Sequence, residues 1–176
     1  METRNAKLIV NKSGGTASKK SKTYRVTLPN SWIEDLGLDE SNREVELNFD
    51  GKKIIMNKAL SVEDFVQSNI THTLLKLNYY NFNKLCTTII ADYTDEKIKI
   101  QNFSKELLYT AFGAKTSPDW QDFKEFLEDR CIPRTRAGLR EYLEAIEIDE
   151  YNPLDIIKKT KGRMAEDHQW IEVIEL

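Results

Sequence analysis

Between Tyr24 and Lys58 the spacing of apolar positions changes three times. Val26 and Leu28 alternate with Arg25 and Thr27, the period of a half-buried strand. Pro29 has no N–H to give a ladder, so it ends that strand and presets the first turn of a helix. Trp32, Ile33 and Leu36 then share one helical face, and Gly37 supplies the left-handed stop. Val45, Leu47 and Phe49 alternate with Glu44, Glu46 and Asn48. Asp50-Gly51 signals a two-residue hairpin, and Ile54 and Met56 carry the alternation back.

A boundary falls near Lys58 to Ser61, which divides the chain into 1–58 and 59–176. Ser61 with Asp64 makes a capping-box-like start, with Asp in place of the usual Glu or Gln, for a short helix from Val62 to about Asn69. The pattern then turns to β. "THTLLKLNYYN" alternates in part, "KLCTTIIADYT" is rich in β-branched residues and "KIKIQNF" alternates strictly. Turns at Asn81-Phe82-Asn83 and Thr94-Asp95-Glu96 make these a three-stranded antiparallel meander. From Ser104 the chain reads as helical. Pro118 opens a helix with Trp120, Phe123, Phe126 and Leu127 on one face. A second helix runs from about Arg136 to Ile146, and a third begins at Pro153. "QWIEVIEL" closes as a strand or docked tail. The second part is α+β, with a meander and three or more helices, and is large enough for its own core.

The first part resembles the AbrB/MazE (SpoVT-AbrB type) family of swapped-hairpin DNA-binding domains. The matching residues are "RVTLP", "LGL", "EVEL" and "DGKKIIM", in the family's order, with Ala6 to Val10 as its first strand. The resemblance implies an intertwined homodimer that binds double-stranded DNA, a promoter or operator, through the first strands and the loop between them. That loop, "NKSGGTASKKSKT", is longer here than the family's usual connection. A stretch from about Leu74 to Val173 also looks like an uncharacterised domain of Gram-positive bacteria and their mobile elements, through "CTTIIADYTD", "FLEDRCIPRTRAGLREYL" and "GRMAEDHQW". No activity comes with that second likeness.

Charge is distributed unevenly. The chain of 176 residues carries a formal −3. From Met1 to Leu28, however, Arg4, Lys7, Lys12, Lys19, Lys20, Lys22 and Arg25 face only Glu2, a balance of +6. From Ala59 onward fifteen basic residues meet twenty-one acids, a balance of −6. The seven cations of the first stretch are the candidate DNA contacts, since Lys, hydroxyls and backbone N–H groups can lie along phosphates. The plainer reading is a solvated Lys/Ser loop. "GGTASKKSK" is not a nucleotide-binding loop: Gly14 and Gly15 are adjacent and no Gly precedes Lys19 or Lys20, as G-x-x-x-x-G-K-[ST] requires.

Composition narrows the remaining classes. At 40 % hydrophobic and 31 % charged residues the chain reads as an ordinary globular protein. No apolar run approaches the ~20 residues of a membrane span, and the start has no long apolar stretch of a signal peptide. A cytoplasmic location with reduced, buried Cys86 and Cys131 is expected.

Candidate chemistry in the 59–176 stretch is confined to a single constellation. Arg130, Arg134, Arg136 and Arg140 lie in "EDRCIPRTRAGLR", and Arg163, Glu166, Asp167 and His168 in "GRMAEDHQW". Arg130, Arg134, Arg136, Arg163 and His168 could form a phosphate or acidic-partner site. The competing reading is an internal Arg–carboxylate network. On that reading Arg134 and Arg163 pair with buried carboxylates, while Arg136 is open. Glu166, Asp167 and His168, taken as helical neighbours about 100° apart, would not ligate one ion together, and His72 is the only other histidine. A thiol–imidazole pair of Cys131 and His168 would have to meet in space.

The expectation is therefore a homodimeric DNA-binding autoregulator with no catalytic role, metal or cofactor. Its second part binds and inhibits a protein partner. That partner is a toxin in the antitoxin-like reading, or a defence nuclease if the chain is an anti-CRISPR inhibitor of a mobile element. A third class, an enzyme on nucleic acid, has only the Arg/Glu/Asp/His cluster behind it.

Overall fold

Elements form where the alternation and the caps place them. The computed structural model describes residues 2–12 and 22–176, with Lys12 by its backbone only. It divides into two compact units, Met1–Ala59 and Leu60–Leu176. Among the described residues no helix is long and apolar enough to cross a membrane.

In the first unit β1 (Ile9–Lys12) pairs antiparallel with β2 (Lys22–Arg25), Ile9 opposite Arg25 and Val10 opposite Tyr24. The first strand thus starts later than Ala6, and Val26 to Leu28 lie outside the ladder, because only residues facing a partner strand gain ladder bonds. Helix α1 (Asn30–Asp35) follows Pro29. It ends in a Schellman motif, with Gly37 at φ +65° and the N–H groups of Gly37 and Leu38 donating to the carbonyls of Glu34 and Ile33. Strands β3 (Val45–Phe49) and β4 (Ile54–Lys58) form a hairpin with Phe49 opposite Ile54. Its tight turn centres one residue later than the expected Asp50-Gly51. Gly51, at φ +91°, takes the first central position, and the Asp50 carboxylate accepts from the N–H groups of Lys52 and Lys53 at 2.8 Å each.

The second unit is a four-stranded antiparallel sheet under three helices. Helix α2 (Val62–Ser68) opens on the Ser61–Asp64 capping box. Strands β5 (Leu74–Asn81), β6 (Lys84–Asp92) and β7 (Lys97–Asn102) make the meander. The final segment is β8 (Gln169–Glu175). It pairs with β5, giving the order β7-β6-β5-β8. One sheet face carries Leu75, Leu77, Tyr79, Ile89, Ala91 and Ile171 into the main core. Helices α3 (Trp120–Asp129), α4 (Leu139–Ala145) and α5 (Pro153–Thr160) supply Phe123, Phe126, Leu127, Leu143, Ile156 and Ile157 to it. On the opposite face Val62 and Phe65 of α2 pack with Ile90.

Three helix expectations shift. Residues after Ser104 give only a 3-10 turn, Leu107–Tyr109. Helix α3 begins at Trp120 and not at Pro118, because Asp119 and Asp122 cap it reciprocally, at 3.0 and 2.7 Å. Helix α4 begins after Gly138, whose φ of +78° is not helical, so Arg136 lies outside it.

Phe123→Ala, which empties a fully buried ring site, is expected to cost ~3–5 kcal/mol. Leu108→Ser, at a residue 81 % exposed, should change stability by ~0.5 kcal/mol or less. Urea unfolding followed by near-UV circular dichroism checks both.

Candidate functional site

Two regions carry the residues singled out in the sequence, one in each unit. In the first, Arg4 and Lys7 lie on an exposed irregular segment and Lys22 and Arg25 on exposed β2. Lys12 belongs to β1 by its backbone, whereas Lys19 and Lys20 fall outside the described residues. Side chains alternate faces along each strand. The register therefore puts Val10, Tyr24 and Lys22 on one face of the β1–β2 hairpin and Ile9, Asn11, Thr23 and Arg25 on the other. The β3–β4 hairpin is likewise one-sided, with Val45, Leu47, Phe49, Ile54 and Met56 together. These apolar side chains are uncovered: Val10 is 52 % exposed, Leu47 64 %, and Phe49 and Ile54 72 % each. Among the described residues of this unit Leu38 is the only buried apolar side chain.

In the second unit the arginines separate. Arg130, at the end of α3, is the buried one, its side chain 7 % exposed. Its Nε and Nη2 donate to the Gly162 carbonyl at 3.0 and 2.7 Å, and Nη2 also to the Gln169 carbonyl at 3.0 Å. A fork to the Asp167 carboxylate, 2.5 and 3.2 Å, completes the set. The guanidinium lies 5.8 Å from the Tyr79 ring centre, and the Tyr79 hydroxyl donates to Gln169 Oε1. Burial pushes the Tyr79 hydroxyl up to about 12. For Asp167, burial raises the carboxyl, but the hydrogen bonds from Arg130 and the Gln169 N–H, with the Arg130 charge, outweigh it and hold the group below the ordinary Asp value. Gly162, at φ +57°, leaves little room for a Cβ, which would stand 3.3 Å from both Arg130 Cβ and Ile171 Cδ1.

The expected buried pairs of Arg134 and Arg163 are not formed. Arg134 meets Glu128 at 3.1 Å with both side chains more than half exposed, and lies over the Tyr151 ring at 4.2 Å. Arg163 is exposed and stands 5.4 Å from the Trp170 ring centre, as does Lys161. Arg140 makes an exposed helical pair with Glu144. Arg136 is exposed. The physical reason is position: only Arg130 ends a helix that points into the turn before β8.

Glu166, Asp167 and His168 belong to that turn and not to a helix. His168 stacks on Phe82, ring centres 4.0 Å apart, and Trp170 stacks on Tyr80 at 4.3 Å while donating to the Phe82 carbonyl at 2.6 Å. A cleft of about 240 Å3 follows, lined by Phe82, Asn83, Arg163, Met164, Asp167, His168, Gln169 and Trp170. Nothing in the sequence marks Phe82 as a neighbour of His168. The two meet because Asn81 pairs with Gln169 across β5 and β8. Cys131 and His168 do not pair: the thiol donates to the Pro153 carbonyl at 3.5 Å, and burial pushes it up to about 12. His72, Asp92 and Asp95 also converge. Asp92 already accepts from His72 Nδ1 at 2.7 Å and from the N–H groups of Thr94 and Asp95, so this cluster ties the β6–β7 turn to the residues before β5.

Comparison of the chain with protein-family models, with curated proteins and with solved structures finds no match.

Arg130→Ala is predicted to leave Asp167 and two carbonyls without their cation, a loss of ~3–5 kcal/mol, and Arg130→Lys should not restore it, because an ammonium cannot fork. Arg134→Ala should cost less than ~1 kcal/mol. The depressed Asp167 carboxyl stabilises the fold above the ordinary Asp value, and that stabilisation is lost as pH falls through its lower folded value. Thermal melts at neutral and acid pH test the three variants. Equal melting temperatures for the Ala variants at Arg130 and Arg134 would show that no buried clamp holds the fold.

Proposed function

We propose that the chain is a homodimeric DNA-binding autoregulator whose second unit takes a protein partner, as the AbrB/MazE resemblance and its antitoxins imply. The observation that carries this reading is the uncovered apolar face on each hairpin of the first unit. A lone hairpin is marginal in water, and large exposed apolar faces mark interfaces. Burying a Phe or Ile side chain stabilises by ~1.5–3 kcal/mol, and this unit leaves such side chains outside. A second copy is the occupant that answers both hairpins at once. Under two-fold symmetry each apolar face meets its own equivalent, and the interface closes.

The same arrangement supports DNA as the ligand. With Val10 and Tyr24 turned into a dimer, the face bearing Asn11, Thr23 and Arg25 stays outward, while Lys22, the first residue of β2, lies at the end of the Val10–Tyr24 face. It belongs to the stretch that carries +6. Two copies place two basic strand–loop segments about one axis, which suits a palindromic operator. The cations supply the phosphate contacts, and Arg25 is the candidate for reading a guanine edge.

Two measurements test the reading. In sedimentation equilibrium at micromolar concentration the full chain should weigh twice its 20.5 kDa, and Leu47→Asp should break the dimer or unfold the first unit. A wild-type monomer overturns the assembly. In a salt titration against the upstream promoter fragment, replacing Lys19, Lys20, Lys22 and Arg25 together with Ala should flatten the logarithmic salt slope by about 0.9 for each phosphate no longer neutralised. Identical slopes remove these residues from the DNA face.

A further inference from the structure

The end of the second unit's sheet that carries the β5–β6 turn is chemically unlike the rest of that unit. Large apolar side chains from separate segments stand in solvent there: Phe82 at the hairpin tip, Phe103 after β7, and Leu107 and Leu108 in the 3-10 turn. Hydrogen bonds bring these segments to one end. The Phe103 N–H donates to the Cys86 carbonyl, the Phe82 N–H to the His168 carbonyl, and Gln169 Nε2 to the Leu108 carbonyl. Gln169 also receives the Tyr79 hydroxyl and the buried Arg130, so the apolar rim is fastened to a fixed base. The 240 Å3 cleft opens beside it.

Four cations, Lys84, Lys105, Lys161 and Arg163, stand at this end against exposed Glu106 and Glu166 and the already paired Asp167. The unit has six more acids than bases, and several of its other cations find carboxylates: Lys115 on Asp122, Lys158 on Glu175, Lys159 on Glu147. At the turn end Lys84, Lys105, Lys161 and Arg163 have no ion pair among the described residues. Lys161 and Arg163 are held over Trp170. The one carboxylate set into this cleft, Asp167, is already forked by Arg130. Cations left unmatched in an acid-rich unit, beside exposed Phe and Leu, complement an acidic surface with apolar side chains among its carboxylates. Phe82 and Phe103 could stack bases but aliphatic Leu107 and Leu108 could not, and Leu108 is the most exposed of the four at 81 %, so the mixture favours a protein over a single-stranded nucleic acid.

We infer that this end of the second unit is the docking surface for an acidic protein segment. Phe82, Leu107 and Leu108 are its apolar anchors, and Lys161 and Arg163 its charge contacts. This rests on the reading that the second unit takes a protein partner, and it fixes where and with what chemistry.

The probe is a displayed library of random dodecapeptides selected on the full-length chain. Selected peptides should carry Asp or Glu beside Phe, Leu or Trp. Leu107→Ser with Leu108→Ser, and separately Lys161→Glu with Arg163→Glu, should weaken a selected peptide roughly tenfold or more. The effect of charge reversal should shrink at high salt. Arg140→Glu, an exposed charge on α4, should leave binding unchanged, and thermal melts confirm that each variant is folded. If acidic peptides are selected but bind both double variants as tightly as wild type, the surface is wrong while the partner-binding reading stands. If selection yields no peptide, or basic ones, both fail. A fluorescent U20 RNA that binds wild type and loses affinity in the same variants would assign the surface to nucleic acid and overturn the inference.

Discussion

A single guanidinium closes the second unit. Arg130 sits where α3 ends, and its donors reach the Gly162 carbonyl, the Asp167 carboxylate and the Gln169 carbonyl. Those three acceptors belong to the turn after α5 and to the start of β8. Without the cation, two carbonyls and a carboxylate would point at one another in a partly buried site, which is costly. With it, the helix layer and the last strand are joined at a fixed distance. Gly162 belongs to the same device: it turns the chain at φ +57°, and a Cβ there would crowd Arg130 and Ile171. The aromatic pairs around Phe82 and Trp170 then inherit their positions from a base that does not shift.

The two units solve burial in opposite ways. The second puts Leu77, Ile89, Phe123, Ile156 and Ile157 wholly out of solvent within one chain. The first uses its residues for two hairpins and one short helix, and keeps Leu38 alone inside among its described apolar side chains. A sheet of four strands has interior positions, whereas a two-stranded hairpin is all edge. The amphipathic pattern of the first unit therefore leaves apolar side chains that the unit does not cover by itself.

Local signals are legible in the sequence wherever the cause is local. Ser61 with Asp64, Pro153 at a helix start, Gly37 at a helix end and the three-strand alternation act over a few residues, and the elements stand there. Legibility fails where a neighbour distant in sequence decides the outcome. Arg130 and Arg134 look alike in "DRCIPRTR", yet one is buried on Asp167 and the other lies in solvent on Glu128. What separates them is the placement of β8 beside β5, a pairing across about ninety residues. "AEDHQW" reads with helical spacing because no local signal announces a turn whose shape is set by Arg130. His168 on Phe82 is hidden for the same reason.

The placement of β8 has a consequence for synthesis. Strand β5 is made early in the second unit, and its hydrogen-bonding edge toward β8 stays open until Gln169–Glu175 have left the ribosome. Helices α3 to α5 can form meanwhile, but Ile171 fills the core and Gln169 receives Arg130 only at that point. Pairings of such sequence separation are slow steps. The nascent unit must therefore pass a period with an unpaired strand edge and an unclosed core, when chaperones or aggregation compete with its folding. Removing a few residues of this strand would leave β5 with an open edge and the core without Ile171.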